Sequence, residues 1–165
     1  MSRLFLYFFT VLGVSFLCSL LESFILSVSR PHISLISKER PNIGKKLSYF
    51  KENINRPLSA ILSLNTIANT VGAAGVGAIT LIEFGNSWVA IMSGILTLSI
   101  LVFSEIIPKT IGAIYWKKIL VPATISVQIL IVIMYPLVLL LELLSKWLAK
   151  GENGDKVSRE EVIAM

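Results

Sequence analysis

SWVAIMSGILTLSILVFSEIIPK occupies residues 87–109. Up to Phe103 it is apolar sequence of a kind that lipid accepts. Then Ser104, Glu105, Pro108 and Lys109 arrive within six positions. An α-helix needs about 20 apolar residues to cross a hydrocarbon core about 30 Å thick, and this run supplies them. A carboxylate inside that core costs about 2.5–3.5 kcal/mol even on the lenient insertion scale. A proline removes one helical hydrogen bond and crowds the preceding turn. Backbone in lipid must satisfy its own hydrogen bonds, so the run is a helix, and the alternation of a membrane strand is absent. The acid and the proline at its end therefore need a reason.

Three further apolar stretches surround it. Residues 4–29 carry Glu22 as their only charge, and residues 57–82 and 119–141 carry none. Hydrophobic residues make up 55% of the 165-residue chain, and its mean hydropathy is +0.79. This is the membrane class, and the length fits one domain. The formal charge of +5 comes from basic residues flanking the membrane segments, so it does not point to nucleic acid. Cys18 is the lone cysteine. It excludes a disulfide framework and reads as a packing residue. The N-terminal apolar run is too long for a signal peptide and lacks a small-residue cleavage site.

Lysine and arginine set the orientation. Residues 30–56 hold seven of them, whereas the turn after residue 82 holds only Glu83. The positive-inside rule places the first segment in the cytoplasm and the turn outside, so the N-terminus is outside and the C-terminus cytoplasmic. A spanning fourth stretch would carry Lys146, Lys150, Lys156 and Arg159 outside, against the same rule. With Pro122 and Pro136 inside it, residues 119–148 read as a Pro-bent hairpin that enters and leaves on the cytoplasmic side. A kinked fourth span is the alternative. In the basic segment, Ile43, Leu47, Phe50 and Ile54 recur at helical spacing with Asn42 as N-cap. That pattern predicts an amphipathic juxtamembrane helix in the interface, held by anionic lipid; a solvated loop is the alternative. The expected fold is all-α and integral to the membrane: three spans, the juxtamembrane helix and the hairpin.

Polar residues recur in each span. Ser19 and Ser23 lie four apart on the first helix with Glu22 beside them, and Asn65 and Asn69 lie four apart on the second. Ser104 and Glu105 end the third. All are expected in the cytoplasmic half, within about two helical turns at about 1.5 Å per residue. Pro108 is read as a helix break: it has no N–H for the Ser104 carbonyl, which frees a backbone oxygen beside a carboxylate. Broken membrane helices hold cations with such oxygens. Hydroxyls, amide carbonyls, one backbone carbonyl and a carboxylate suit a hard cation such as Mg²⁺. No thiolate or imidazole cluster supports a transition metal. The alternative is structural: serines bonded to their own helix, asparagines as interhelical glue, acids paired with Lys109 or protonated. The small residues Val71–Ala78 read as helix packing.

Three motifs resemble the transmembrane domain of the CNNM/CorC family of magnesium transporters. They are SLLESFILSVSR (residues 19–30), LSLNTIANTVGAA (62–74) and FSEIIPKTIGA (103–113), the last being the most specific. The tail VSREEVIAM resembles the entry into the family's cytoplasmic CBS-pair module. The resemblance implies residues 1–150 as the transmembrane domain and 151–165 as a linker toward a CBS module that this chain lacks, so ATP is not expected to bind. It implies a homodimer in the inner membrane and a Mg²⁺ site of Ser19, Ser23, Asn65 and Glu105. The Ser104 carbonyl joins them on the proline argument; Glu22 and Asn69 are additional candidates. Leu20, Leu21 and Phe24 are bulkier than the family pattern. The implied function is Mg²⁺ transport by alternating access, with export favoured and Na⁺ as the suggested coupling ion. A Mg²⁺-sensing module that regulates another transporter is the alternative. The membrane segments contain no Asp or His and no nucleophile beside a base, so an enzyme is not expected.

Overall fold

The computed structural model describes residues 2–141 and 143. These form helices throughout, with no strand among them. Three are long and apolar enough to cross a membrane: Ser2–Ser27, Asn55–Phe84 and the continuous run Asn86–Ile133. The first is α1. Two short helices follow, α2 (Arg30–Glu39) and α3 (Pro41–Glu52), then α4 (Asn55–Phe84). The third run comprises α5 (Asn86–Ser99), a π-helical segment (Ile100–Ile106) and α6 (Ile107–Ile133).

The hydrogen bonds between helices give their directions. Tyr7 donates to the Val71 carbonyl at 3.1 Å and Ser15 to the Asn65 side chain at 2.8 Å. Rising numbers on α1 meet falling numbers on α4, so the two are antiparallel. Ser104 donates to the Leu12 carbonyl at 3.0 Å, and Gly112 lies against Leu20 and Phe24. The third run therefore lies parallel to α1, which is the up-down-up order of three spans. α1 is the common partner of α4, the π segment and α6. The small residues of α4 serve this packing. A Cβ at Gly72 would lie 2.5 Å from Val11, and one at Gly75 2.3 Å from the Tyr7 ring. This is the close approach that small residues allow in membrane helices. Cys18 is fully buried among Leu21, Phe24 and Ile25.

A single residue, Gly85, joins α4 to α5 at φ 86° and ψ 173°. Only glycine takes that region readily, which is why the hairpin reverses without a loop.

The basic segment is helical, as its spacing predicts, but it is two helices rather than one. Pro41 disfavours the helical region for the residue before it, and Arg40 sits at φ −137° and ψ 78°. Arg40, not Asn42, is the N-cap of α3, and Pro41 takes the first helical position where its missing N–H costs nothing. Leu47 and Phe50 are buried, while Lys45 is exposed. His32 on α2 stacks edge-on against Trp116 of α6 with centroids 4.8 Å apart. Lys117 and Lys118 follow at once, the residue types that mark a membrane–water interface.

The third run differs most from expectation. It does not stop at Pro108. It continues for 48 residues, about 72 Å at about 1.5 Å per residue, so its end lies beyond the hydrocarbon core. Pro122 lies inside α6 without ending it. The chain turns at Met134 instead, and Pro136 opens a new helix over 135–141. Within 119–148 the described helix is interrupted at Met134. The remainder of that segment, and the tail 151–165, lie outside the described residues apart from 143.

Candidate cation site

The polar residues of the spans face α1 from three sides, and each contact is short. Toward α4, Ser15 donates to Asn65 Oδ1 at 2.8 Å. Toward the π segment, buried Ser104 donates to the Leu12 carbonyl. Toward α6, Ser23 donates to the Lys109 carbonyl at 2.6 Å. The last contact is possible because Gly112 lets the backbones close: a Cβ there would lie 2.7 Å from the Leu20 carbonyl oxygen.

Two side-chain oxygens of the spans are buried without a hydrogen-bond partner among the described residues, Ser19 Oγ on α1 and Asn69 Oδ1 on α4. Ser19 has no exposed surface at all. Buried polar groups are nearly always satisfied, so an orphan calls for an explanation. Glu105 is half-buried and makes no ion pair or hydrogen bond among the described residues. It follows Ser104, which touches Leu12. This sets Glu105 level with the middle of α1, near Ser15 and Ser19, rather than near the cytoplasmic end where the sequence pattern places it. No hydrogen bond joins Glu105 to Ser19, Ser23 or either asparagine.

The helix break expected at Pro108 takes another form. The Ile107 N–H bonds to the Val102 carbonyl, five residues back. The ladder is π before the proline and α after it, so the buried Pro108 is absorbed in the first turn of α6 and the chain stays helical. π turns inside α-helices concentrate at functional sites. Pro108 still offers no N–H to the Ser104 carbonyl.

Glu22 has a partner. The Lys109 ammonium lies 3.3 Å from its carboxylate, the acid–lysine pairing that the structural alternative includes. No three of His, Cys, Asp and Glu stand together among the described residues. A soft-metal cluster has no support there, and the oxygens available are hydroxyls, amides and Glu105.

Sequence reading missed Ser15. The signal was present: Ser15, Ser19 and Ser23 repeat every four residues and share one face of α1.

Three membrane helices packed along a seam of hydroxyls and amides, with Glu105 unpaired among the described residues, define a multi-pass membrane domain. The sequence profile described as "Cyclin M transmembrane N-terminal domain" (CNNM) matches residues 5–165, and the chain belongs to that family. It is 34% identical over 154 residues to the UPF0053 protein sll1254 of Synechocystis, covering 93% of this chain and 44% of that protein. It is 29% identical over 129 residues to the UPF0053 inner membrane protein YfjD of Escherichia coli, covering 78% and 30%. A UPF0053 protein of Haemophilus influenzae is 32% identical over 146 residues, covering 88% and 35%. The chain spans less than half the length of these curated relatives.

Proposed function

We propose that this domain carries Mg²⁺ across the membrane, holding the ion with oxygens from α1, α4 and the π segment. The observation that carries the reading is the pair of buried oxygens without a hydrogen-bond partner, Ser19 Oγ on α1 and Asn69 Oδ1 on α4, together with Glu105, which is unpaired among the described residues. Mg²⁺ takes oxygen ligands in an octahedron and gives up water reluctantly. Neutral oxygens compensate that loss poorly, so the Glu105 carboxylate decides occupancy. Ser19 and Ser23 supply hydroxyls and the Ser104 carbonyl is a further ligand. Of the two asparagines, Asn69 has its carbonyl free, whereas Asn65 must give up its bond from Ser15 to coordinate. Glu22, paired with Lys109, acts outside the first shell.

The π segment supports a carrier rather than a fixed site, because its ladder has a second, α-helical pairing available. The transport cycle alternates access to the ion from the two sides. The basic segments place α2 and α3 in the cytoplasm and Gly85 outside. The inner-membrane relative YfjD supports the same membrane here. The family resemblance supports a homodimer, export as the direction and Na⁺ as the coupling ion.

The test is Mg²⁺ flux with purified protein in liposomes, alongside calorimetric Mg²⁺ binding. Parent protein moves Mg²⁺, and Glu105→Gln, which keeps the shape, neither binds nor moves it. Binding without flux makes the domain a Mg²⁺ sensor that regulates another transporter. If Glu105→Gln binds Mg²⁺ like the parent, the site is wrong.

A further inference from the structure

A second polar cavity lies apart from the membrane seam, where α1 ends. It has a volume of about 150 Å³ and is lined by Arg30, Ile33, Ser34, Ser48, Lys51 and Glu52. That is the room of about five liquid waters. α2 forms one wall and α3 the other.

Its chemistry is cationic and under-satisfied. The Arg30 guanidinium makes no ion pair or hydrogen bond among the described residues. Lys51 is half-buried and donates to the Leu26 carbonyl at 3.2 Å, which leaves two of its three N–H bonds free. Burial, and then the charge of Arg30, hold the Lys51 ammonium below the usual lysine range. Two like charges thus share a small space, and the Glu52 carboxylate, which also lines it, pairs with neither. The Ser48 hydroxyl has no partner among the described residues, and Ser34 has only a 3.4 Å contact to the Arg30 carbonyl. Arg30 is also the first residue of α2, whose N-cap Ser29 gives no side-chain cap, so the positive end of that helix dipole adds to the field.

We propose that this cavity binds a phosphate group at the membrane surface. Arg30 meets the anion with its planar fork, Lys51 with its remaining donors, and Ser48 with its hydroxyl. The occupant is the phosphate of an anionic phospholipid or free phosphate, since both present the same oxygens. Bound there, the anion bridges α2, α3 and, through Lys51, the last turn of α1. It thereby ties the juxtamembrane helices to the span that carries Ser19 and Ser23. This goes beyond the diffuse attraction of a basic helix for anionic lipid, because it names a site with one occupant.

Thermal unfolding of the full chain in a neutral detergent at constant ionic strength tests the site. Short-chain phosphatidylglycerol, phosphatidylcholine and inorganic phosphate are titrated separately. The parent gains several degrees with an anionic phosphate source. Phosphatidylglycerol acting where inorganic phosphate does not identifies the lipid; protection by inorganic phosphate identifies the free anion. Arg30→Gln and Arg30→Gln/Lys51→Gln raise the half-saturating concentration at least tenfold. Lys38→Gln/Lys45→Gln removes the same charge from exposed positions outside the cavity and keeps the protection. Arg30 is exposed and bonded to nothing through its guanidinium, so its single variant folds even if the loss of Lys51 unsettles α1. The proposal is overturned if neither anionic source protects the parent, or if the exposed-lysine control loses protection as fully as the cavity variants.

Discussion

Gly112→Ala tests the packing that seats α6 on α1. The added methyl would lie 2.7 Å from the Leu20 carbonyl oxygen, 2.9 Å from Ser23 Cβ and 3.2 Å from the Phe24 nitrogen. Two of these neighbours are backbone and cannot rotate away. Ordinary contact begins at 3.4 Å, so the helices must part by about 0.7 Å along the shortest line. The same movement stretches the bond from Ser23 to the Lys109 carbonyl from 2.6 Å toward about 3.3 Å, past the usual O–H···O range of about 2.5–3.0 Å. Overpacking of this kind costs about 1–3 kcal/mol, and alanine's helix preference over glycine returns about 1 kcal/mol. With backbone as the obstacle the clash dominates, and the net loss is about 1–2 kcal/mol. For a chain of this size that lowers Tm by about 2–8 °C. Gly94 in α5 is the control, because a Cβ there meets nothing within 4 Å. Gly94→Ala therefore holds or raises Tm. Unfolding followed by circular dichroism in mild detergent measures both. A Gly112→Ala protein as heat-stable as the parent, or a Gly94→Ala protein that falls equally, refutes the close-approach argument.

Ser15→Ala removes one interhelical hydrogen bond and lowers stability by about 1 kcal/mol; it also frees the Asn65 carbonyl, so Mg²⁺ affinity measured by calorimetry holds or improves. Ser19→Ala, whose hydroxyl has no partner among the described residues, costs little stability and weakens Mg²⁺ binding at least fivefold; a large fall in Tm with unchanged affinity would make Ser19 structural. Lys109→Gln breaks the contact with Glu22 and lowers stability by about 0.5–1 kcal/mol, the scale of a partly exposed pair, with Mg²⁺ affinity within about threefold of the parent on the same assay. Cysteines placed near Lys150 in a Cys18→Ser background react from the cytoplasmic side of oriented vesicles; reaction from outside would make residues 119–148 a fourth span. Mass measurement in nanodiscs gives a dimer, and a monomer throughout would remove the homodimer from the proposal.

Hydropathy made the three spans legible because lipid imposes length and composition on any helix that crosses it. The polar seam was legible for the same reason: Ser19, Asn69 and Glu105 stand out against apolar neighbours. What escaped was local geometry with no periodic signature. Pro41 splits the juxtamembrane segment, and the apolar stripe from Ile43 to Ile54 lies wholly after the split, so it carries no sign of α2. Asn42 resembles a cap by residue type, but the proline before it had already started the helix. The ending read at Pro108 was a change of ladder, because a π turn supplies the slack that a proline otherwise takes by breaking the chain.

The π segment has one more consequence. Each of its rings encloses one residue more than an α ring, so it works as a phase shifter in the third run. Upstream, Leu96 is indexed to Leu4 and Val76; downstream, Gly112 is indexed to Leu20 and Phe24. Deleting one residue of Ile100–Ile106 lets the ladder close as α with almost the same total turn, so α6 keeps its face toward α1. The same deletion elsewhere in the run has no such slack: an α-helix turns about 100° per residue, and Lys109 and Gly112 would leave α1 together. The π segment is accordingly where the third run can lose a residue without losing its register against α1.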